Sequence, residues 1–303
     1  MSGGELLPKV TLVTPAYNQA EYLAETIESV LAQDYPNMEY IVLDDGSTDD
    51  TPAVLERYAQ RVHCERHTNM GQARTLNRGW SMAKGSLVGY ISSDDRLHPH
   101  AVRCLVEALQ QRPDAVVAYG DFDIIDAYGR KVRSVCTEEF DLDRLQVDLI
   151  CQPGAGVLFR RELLGEVGGW QKKLRQVPDL EFWIRAAKSG PFVRVPQALA
   201  AYRVHEGSAS FSKISAERSN EVVDVMQTHW AGVRSAKADR SLARAHLLAA
   251  RSHAQSGRAL ETVRHWWASV KLDTAVALSP GGLRAMSTGL LRRFWYGLRK
   301  SSP

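Results

Sequence analysis

The first ~110 residues alternate short apolar segments with amphipathic ones, and that alternation constrains the fold more than any other feature of the chain. "KVTLVTP" (9–15), "MEYIVLD" (38–44), "RVHCERH" (61–67), the start of "SLVGYISSDDRLHP" (86–99) and "AVVAYG" (115–120) read as strands, the fourth of them buried. Between them, Leu23, Ile27, Val30 and Leu31 recur at helical spacing, Val54, Leu55 and Tyr58 mark a second helix, 71–84 a third, and Pro99 opens a fourth. Asn18 followed by Glu21 reads as a capping box for the first helix, and Thr51–Pro52 as the cap and first residue of the second. Strands separated by helices predict an α/β fold: a Rossmann-like, mostly parallel central sheet flanked by helices, with ligands at the carboxyl ends of the strands. Beyond residue 120 the pattern loosens into a hairpin around Ala127–Gly129, a strand in "GAGVLFRR", a helix in "PDLEFWIRAAKSG" and an extended pair over 191–205.

Three polar clusters fall where strands end: "TPAYN" (Thr14 to Asn18), "DDGSTDD" (Asp44 to Asp50) and Asp94–Asp95. Each alone has a structural reading, because Asn18, Asp50 and Thr51 are good caps and Gly46 and Ser47 are turn formers. A parallel sheet brings all three to one edge, which points to a site. Adjacent carboxylates repel, and a hard divalent cation such as Mg²⁺ or Mn²⁺ removes that conflict; sites with few carboxylates usually share the metal with a substrate's phosphates. Asp44 can accept a base N–H and Tyr17 offers a stacking face, a combination that suits a nucleoside diphosphate.

The segments "VTPAYNQAEYLAETIESVLAQDYPNMEYIVLDDGSTDDT", "NMGQARTLNRGWSMAKGSLVGYISSDD", "QPGAGVLFRRELLGEVGGW", "PDLEFWIR" and "YRVHEGSAS" resemble, in order, the motif series of the family 2 inverting glycosyltransferases of the GT-A fold, over about residues 8–210. The resemblance implies a nucleotide-sugar donor and a Mn²⁺ or Mg²⁺ cofactor. Thr14, Ala16 and Tyr17, with Asn18, would surround the base. Asp44 would accept the uracil N3–H. Asp94 would face the ribose or metal, and Asp95 would bind the metal on the pyrophosphate. Asp179 would be the catalytic base, with Glu181 and Trp183 following in the same motif to support the active site and acceptor. His205 would lie near the pyrophosphate or metal. Gly71 and Arg74, with Asn77, would reach the donor from the third helix, although Arg74 and Asn77 also read as exposed helix residues. Outside the resemblance, Asp179 reads as a helix cap after Pro178 and His205 as a loop histidine. Two departures stand out: Ser92 and Ser93 where many relatives carry an aspartate before the pair, and Pro178 where many carry Glu before the base. The resemblance is to bacterial-type enzymes that build surface polysaccharides on glycan or lipid-linked acceptors.

Residues 1–210, the expected catalytic domain, carry 23 Lys and Arg against 29 Asp and Glu; residues 211–303, the expected all-helical extension, carry 15 against 6. "SLARAHLLAARSHAQSGRALETVRHWWASVKLD" (241–273) reads as two helices joined near Ser256–Gly257. Over 283–300, Leu283, Met286, Leu290, Phe294 and Leu298 share one helical face opposite Arg292, Arg293, Arg299 and Lys300, and no acidic side chain follows Pro280. Such a basic amphipathic segment suits an anionic membrane surface, with packing on the protein as the alternative.

Several classes are set aside on the same residues. No run is long enough to span a membrane, "MSGGELLPKV" lacks a signal-peptide core, and Cys64, Cys104, Cys136 and Cys151 are scattered as reduced thiols, so the expected compartment is the cytoplasm, with the tail at the inner face of the plasma membrane. A sugar-phosphate nucleotidyltransferase would carry a glycine-rich, arginine-containing loop where this chain has "TPAYNQAEY". A non-catalytic nucleotide-sugar binder would usually lack Asp95 or Asp179. The tail's arginines interleave with an apolar stripe, which argues against nucleic acid.

Overall fold

The segment Val10–Ala16 (β1) is buried at every residue, Thr11 and Thr14 included, as in a strand covered on both faces. In the computed structural model, which describes residues 7–205, 207 and 214–283, it is followed by Leu23–Leu31 (α1), Met38–Asp44 (β2), Thr51–Glu56 (α2), His63–Arg66 (β3), Gln72–Met82 (α3), Leu87–Tyr90 (β4), Arg96–Leu97 (β5) and Ala101–Gln111 (α4). Then come Val117–Ile125 (β6), Lys131–Val135 (β7), Leu142–Gln146 (α5), Val157–Arg160 (β8), Glu162–Val167 (α6), Pro178–Ala186 (α7) and Phe192–Arg203 (β9). Four further helices close the described chain: Ala216–His229 (α8), Ala236–Gln255 (α9), Ala259–Leu272 (α10) and Thr274–Ala277 (α11).

The chain forms two compact units. One comprises Met1–Phe140, Cys151–Lys173 and Phe182–Ser208; the other comprises Asp141–Ile150, Leu174–Glu181 and Ala209–Pro303.

The first unit holds the sheet, in the order β3-β2-β1-β4-β8-β6-β9-β5, with β7 paired to β6. Strands β3, β2, β1 and β4 are mutually parallel. The second half is mixed: β8 runs antiparallel to β4 and β6, β6 is parallel to β9, β5 is antiparallel to β9, and β7 is antiparallel to β6. The expected α/β architecture is present, with its parallel character confined to the first half and to β6–β9. The extended pair expected over 191–205 is one long strand, β9, with register shifts where it passes Gly120 and Asp121 of β6.

The order reverses between β1 and β4, which creates a crevice at their carboxyl ends, the usual ligand position in such sheets. Ala16, Asp44 and Arg66 stand in register across β1, β2 and β3 at that edge. On one face, Leu23, Ile27 and Val30 of α1 and Val102, Leu105 and Leu109 of α4 pack over Leu12, Val42 and Leu158. On the other, α3 approaches so closely that a Cβ on Gly79 would lie 2.3 Å from a methyl of Val13, and Trp80 packs with Tyr90, Phe159, Trp170 and Phe182.

Two cap assignments are corrected. Helix α1 starts at Leu23 with no side-chain cap, so Asn18 caps nothing and sits instead at φ 52 in the loop before it. Thr51 is already helical in α2, and its hydroxyl accepts the Gln19 N–H at 2.9 Å rather than capping. In both cases the loop between β1 and α1 takes its bonds from the residues after β2, and this tertiary pairing overrides the local cap signal.

In the second unit, α9 presents Ala243, Ala245, Ala249 and Ala250 as buried small residues that let its neighbours approach. The break between α9 and α10 falls at Gly257, φ 78, as the sequence predicts. Glu221 of α8 is buried and accepts the N–H groups of Arg175 and Gln176.

Three histidines lie inside this bundle. His246 Nδ1 meets His265 Nδ1 at 2.9 Å, and the His253 and His265 rings stack with centroids 5.1 Å apart. Arg258 Nε donates to His253 Nδ1 at 2.7 Å, so the ring's proton is on Nε2, which faces Asn220 Oδ1 at 2.9 Å. Burial is the main cause that lowers His246 and His253 to about 4 and pushes His265 down; Arg258 adds to it at His253, while Glu261 and Asp224 oppose it at His265.

These depressed values make the cluster a source of acid sensitivity. Histidine in the unfolded chain takes its proton near pH 6.5, before the folded rings do, so stability present above about 6.5 is lost as pH falls toward 4. The melting temperature should drop by more than about 5 °C between pH 7 and pH 4.5, the scale of roughly one kcal/mol in a unit of this size. His265→Gln should flatten that dependence; an unchanged slope in calorimetry would remove the cluster as its cause.

Candidate active site at the carboxyl edge of the sheet

The first two clusters interlock. Asn18 N–H donates to Ser47 Oγ at 2.9 Å and Asn18 Oδ1 accepts the Thr48 N–H at 2.8 Å, so the loop after β1 is laced to the loop after β2. The left-handed backbone at Asn18 permits this reciprocal pairing, a conformation that asparagine tolerates better than most residues. Ala16 is buried at the end of β1, and Tyr17 beside it is 48% exposed, a ring face available to solvent or a base. Thr14 is fully buried and its hydroxyl is hydrogen-bonded with Tyr40 Oη at 2.9 Å.

Asp44 is fully buried. Its Oδ1 accepts the Ser47 N–H at 2.9 Å, while Oδ2 makes no hydrogen bond among the described residues. Arg66 approaches that atom to 3.2 Å without hydrogen-bond alignment and donates instead to Ser47 O at 2.7 Å. A buried carboxylate oxygen with an open acceptor direction is costly unless something else binds there. Gly46 turns the loop away at φ 75, where a Cβ would lie 2.8 Å from Asn69 N.

Asp45, whose role the sequence did not reveal, holds the next segment. Its two oxygens accept the Met70 N–H at 2.6 Å and the Gly71 N–H at 2.8 Å. Gly71, at φ 88, is the residue from which α3 starts. Arg74 is exposed on the first turn of α3, with no side-chain bond among the described residues. Asn77 is half-buried rather than exposed. It is committed to Trp170, accepting its N–H at 2.8 Å and donating to its carbonyl at 2.7 Å.

The structure separates the aspartate pair. Asp95 is 2% exposed and its Oδ1 accepts the Arg203 N–H at 2.8 Å. Burial, and secondarily the charge of Asp94, push its carboxyl well above the usual range. Asp94 is the member that meets His205, with Oδ2 at 3.0 Å from Nε2. Asp95, expected at the metal, has its carboxyl turned into the fold, whereas Asp94 is the half-buried member of the pair.

Arg203, also missed by the sequence, is 2% exposed and organises this corner. Its Nε donates to Asp94 O at 2.8 Å, Nη1 to Ala127 O at 3.2 Å, and Nη2 to Glu25, which also pairs with Arg96. Tyr22 lies between the Arg203 guanidinium, 4.8 Å from its centroid, and the His205 ring, 4.7 Å from it. No sequence signal marked Tyr22, Glu25 or Arg203, since each reads as an ordinary helix or strand residue until β9 and α1 are brought together.

Among the described residues no group of three or more metal-ligating side chains converges. Asp94 and His205 supply one carboxylate oxygen and one imidazole nitrogen, a donor set that fits Mn²⁺ or Mg²⁺ when a substrate's phosphates complete the shell.

In the second unit, Asp179 is the second residue of α7, in its first turn rather than at its cap, and its Oδ1 accepts the Leu180 N–H at 2.8 Å. Burial raises its carboxyl above the ordinary value, partly offset by backbone N–H groups. Glu181 is buried. Trp183, in the first unit, is fully buried against Phe159, Phe182 and Phe192.

Residues 11–168 match the family model described as glycosyl transferase family 2. An uncharacterized glycosyltransferase of Nostoc sp. is 30% identical over 226 residues, 70% of this chain and 70% of that protein. Several longer curated relatives are spanned over only 31% to 37% of their length. Two solved structures share the fold. Residues 1–349 of TarS from S. aureus in complex with UDP-GlcNAc give a TM-score of 0.67 at 17% identity, covering 94% of this chain and 91% of that one. The mannosyltransferase PcManGT from Pyrobaculum calidifontis in complex with GDP-Man and Mn²⁺ gives 0.59 at 19%, covering 95% and 87%.

Proposed function

Because the chain belongs to glycosyl transferase family 2, we propose that it moves a sugar from a UDP-sugar to a hydroxyl of a glycan or lipid-linked saccharide, inverting the anomeric carbon in one displacement. The observation that carries this reading is the pairing, along one sheet edge, of a buried Asp44 oxygen without a hydrogen bond and the Asp94–His205 couple. A carboxylate only accepts, so Asp44 Oδ2 would read the uracil N3–H, with Tyr17 beside the base and Ala16, Asn18 and Gly71 shaping the pocket. Arg74 carries a long cationic side chain that would reach the donor's phosphates. The Asp44–uracil contact favours UDP, with deoxythymidine diphosphate second because thymine keeps that N–H. The two nucleotide-sugar complexes among the structural neighbours are consistent with this class of donor.

Asp94 and His205 would hold a divalent cation, Mn²⁺ or Mg²⁺. That ion would neutralise charge developing on the departing diphosphate. Asp179 would take the proton of the acceptor hydroxyl, with Glu181 and Trp183 fixing its helix. We assign the donor chemistry to a domain of about residues 1–210, and residues 211–303 to the helical extension.

Calorimetry with UDP, dTDP, GDP and CMP tests the donor reading. UDP should bind most tightly, and Asp44→Ala should weaken it by about 10-fold or more, the scale of a lost charge-assisted hydrogen bond. Tighter binding of GDP or CMP would overturn the assignment.

We also place the enzyme in the cytoplasm at the inner face of the plasma membrane, held by 283–300. Among the described residues no helix is long and apolar enough to cross a membrane, and all of this segment except Leu283 lies outside them. Cutting the chain after Ser279 should abolish co-sedimentation with anionic liposomes at low salt while UDP binding persists. Equal sedimentation of both forms would refute the anchor.

A further inference from the structure

The Asp94–His205 couple sits beside a buried positive charge. The Arg203 guanidinium is bonded to the Asp94 carbonyl at 2.8 Å, and its own backbone continues two residues on to His205. A second arginine, Arg96, is close by, bonded to Gly129 O at 3.2 Å. Two guanidinium groups next to a proposed cation site would repel the cation. Among the described residues one carboxylate bonds both guanidinium groups: Glu25 of α1 pairs through Oε2 with Arg203 and through Oε1 with Arg96. Arg203 is 2% exposed at its side chain, so water screens it little, whereas Glu25 is 42% exposed and Arg96 32%.

We propose that Glu25 is a positioning and charge-balancing residue of the donor site: it neutralises Arg203 so that Arg203 can brace Asp94 and Asp95 without repelling the divalent cation. The inference rests on the reading of Asp94 and His205 as cation ligands. Arg203 does structural work that a neutral side chain cannot copy. Its guanidinium reaches Asp94 O, Asp126 O and Ala127 O at once, and its backbone N–H fixes Asp95. The same charge opposes a metal and favours a pyrophosphate. Glu25 sets the balance between the two, and it lies one turn of α1 from Tyr22, whose ring is shared by Arg203 and His205.

The test is a pair of substitutions with opposite expected signs. Glu25→Gln keeps size and one acceptor oxygen but removes the charge that balances Arg203. Arg96→Gln frees Glu25 to serve Arg203 alone. Mn²⁺ affinity is measured on the full chain by electron paramagnetic resonance in the presence of UDP, and UDP affinity is measured separately in EDTA. Glu25→Gln should weaken Mn²⁺ binding roughly 3- to 10-fold at low salt, as removing one nearby charge through a partly screened medium requires. The effect should shrink in 0.5 M salt, where the screening length is only about 4–5 Å. UDP affinity in EDTA should hold or rise, because the unbalanced guanidinium favours an anion. Arg96→Gln should leave Mn²⁺ binding unchanged or tighter. A purely structural salt bridge would instead lower both affinities together in both variants and lower the melting temperature, which would overturn the proposal. Wild-type protein that binds no Mn²⁺ overturns both this inference and the metal reading beneath it. Wild-type binding with Glu25→Gln within twofold of it overturns the inference alone.

Discussion

Asp179→Asn should reduce kcat by about 10²-fold or more, the usual scale for a general base, while UDP affinity stays within about twofold of the parent. The substitution is close to isosteric. The asparagine side chain would keep an oxygen able to accept the Leu180 N–H that Asp179 Oδ1 accepts at 2.8 Å, so the first turn of α7 should persist. What it loses is basicity. An acceptor hydroxyl is a poor nucleophile until its proton has somewhere to go, and a carboxylate held above its ordinary range by burial takes that proton more readily than an exposed one. The pH–rate profile gives an independent reading. In the parent, the acid limb of kcat should lie above the usual aspartate value near 3.9, because the group must be ionised to act and burial delays its ionisation. That limb should vanish in Asp179→Asn. Unchanged transfer would reduce Asp179 to a first-turn helix carboxylate, and a parallel fall in UDP affinity would mark a structural role.

The parallel half of the sheet is legible in the sequence because its strands and helices alternate with distinct periods and each strand ends in a polar cluster. The register that aligns Ala16, Asp44 and Arg66 follows from parallel pairing. The mixed half is less legible. Strand β8 inserts antiparallel between β4 and β6 from far along the chain, and no local pattern encodes such a pairing. The site shows the same division. Asp44 stands out because it closes a strand. Asp45, its neighbour, does not, since two adjacent aspartates on one loop look alike until one is seen to bind Met70 and Gly71. Arg203 escapes notice because a strand arginine is normally exposed; only the approach of Glu25 on α1 and of the Asp126 and Ala127 carbonyls shows that it is buried and bonded. Asn18 reads as a cap because capping is local, and its true partners lie 29 and 30 residues away.

Asp94→Ala and Asp95→Asn should have sharply different effects, although the two residues are adjacent. Asp94 Oδ2 faces His205 at 3.0 Å, and together they form the donor pair proposed for the cation. Removing that carboxylate should abolish Mn²⁺-dependent enhancement of UDP binding and reduce transfer by about 10²-fold or more, because a lone imidazole would be left to hold a hard cation. The melting temperature should change little, since Asp94 is only partly buried and its carbonyl, which Arg203 needs, is retained. Asp95 is the opposite case. Its carboxylate is buried and accepts the Arg203 N–H, a bond that asparagine can also accept. Asp95→Asn should therefore keep Mn²⁺ affinity. Asp95→Ala should instead lower stability by about 1–3 kcal/mol, the penalty for leaving a buried N–H without its acceptor. Melting curves and Mn²⁺ titrations on the three variants separate the roles. If Asp95→Asn loses the metal and Asp94→Ala keeps it, the cation binds the inner carboxylate, and the loop must rearrange on binding to turn Asp95 outward. If both lose it, the pair acts as a unit and the outward orientation of Asp94 is not what decides the ligand.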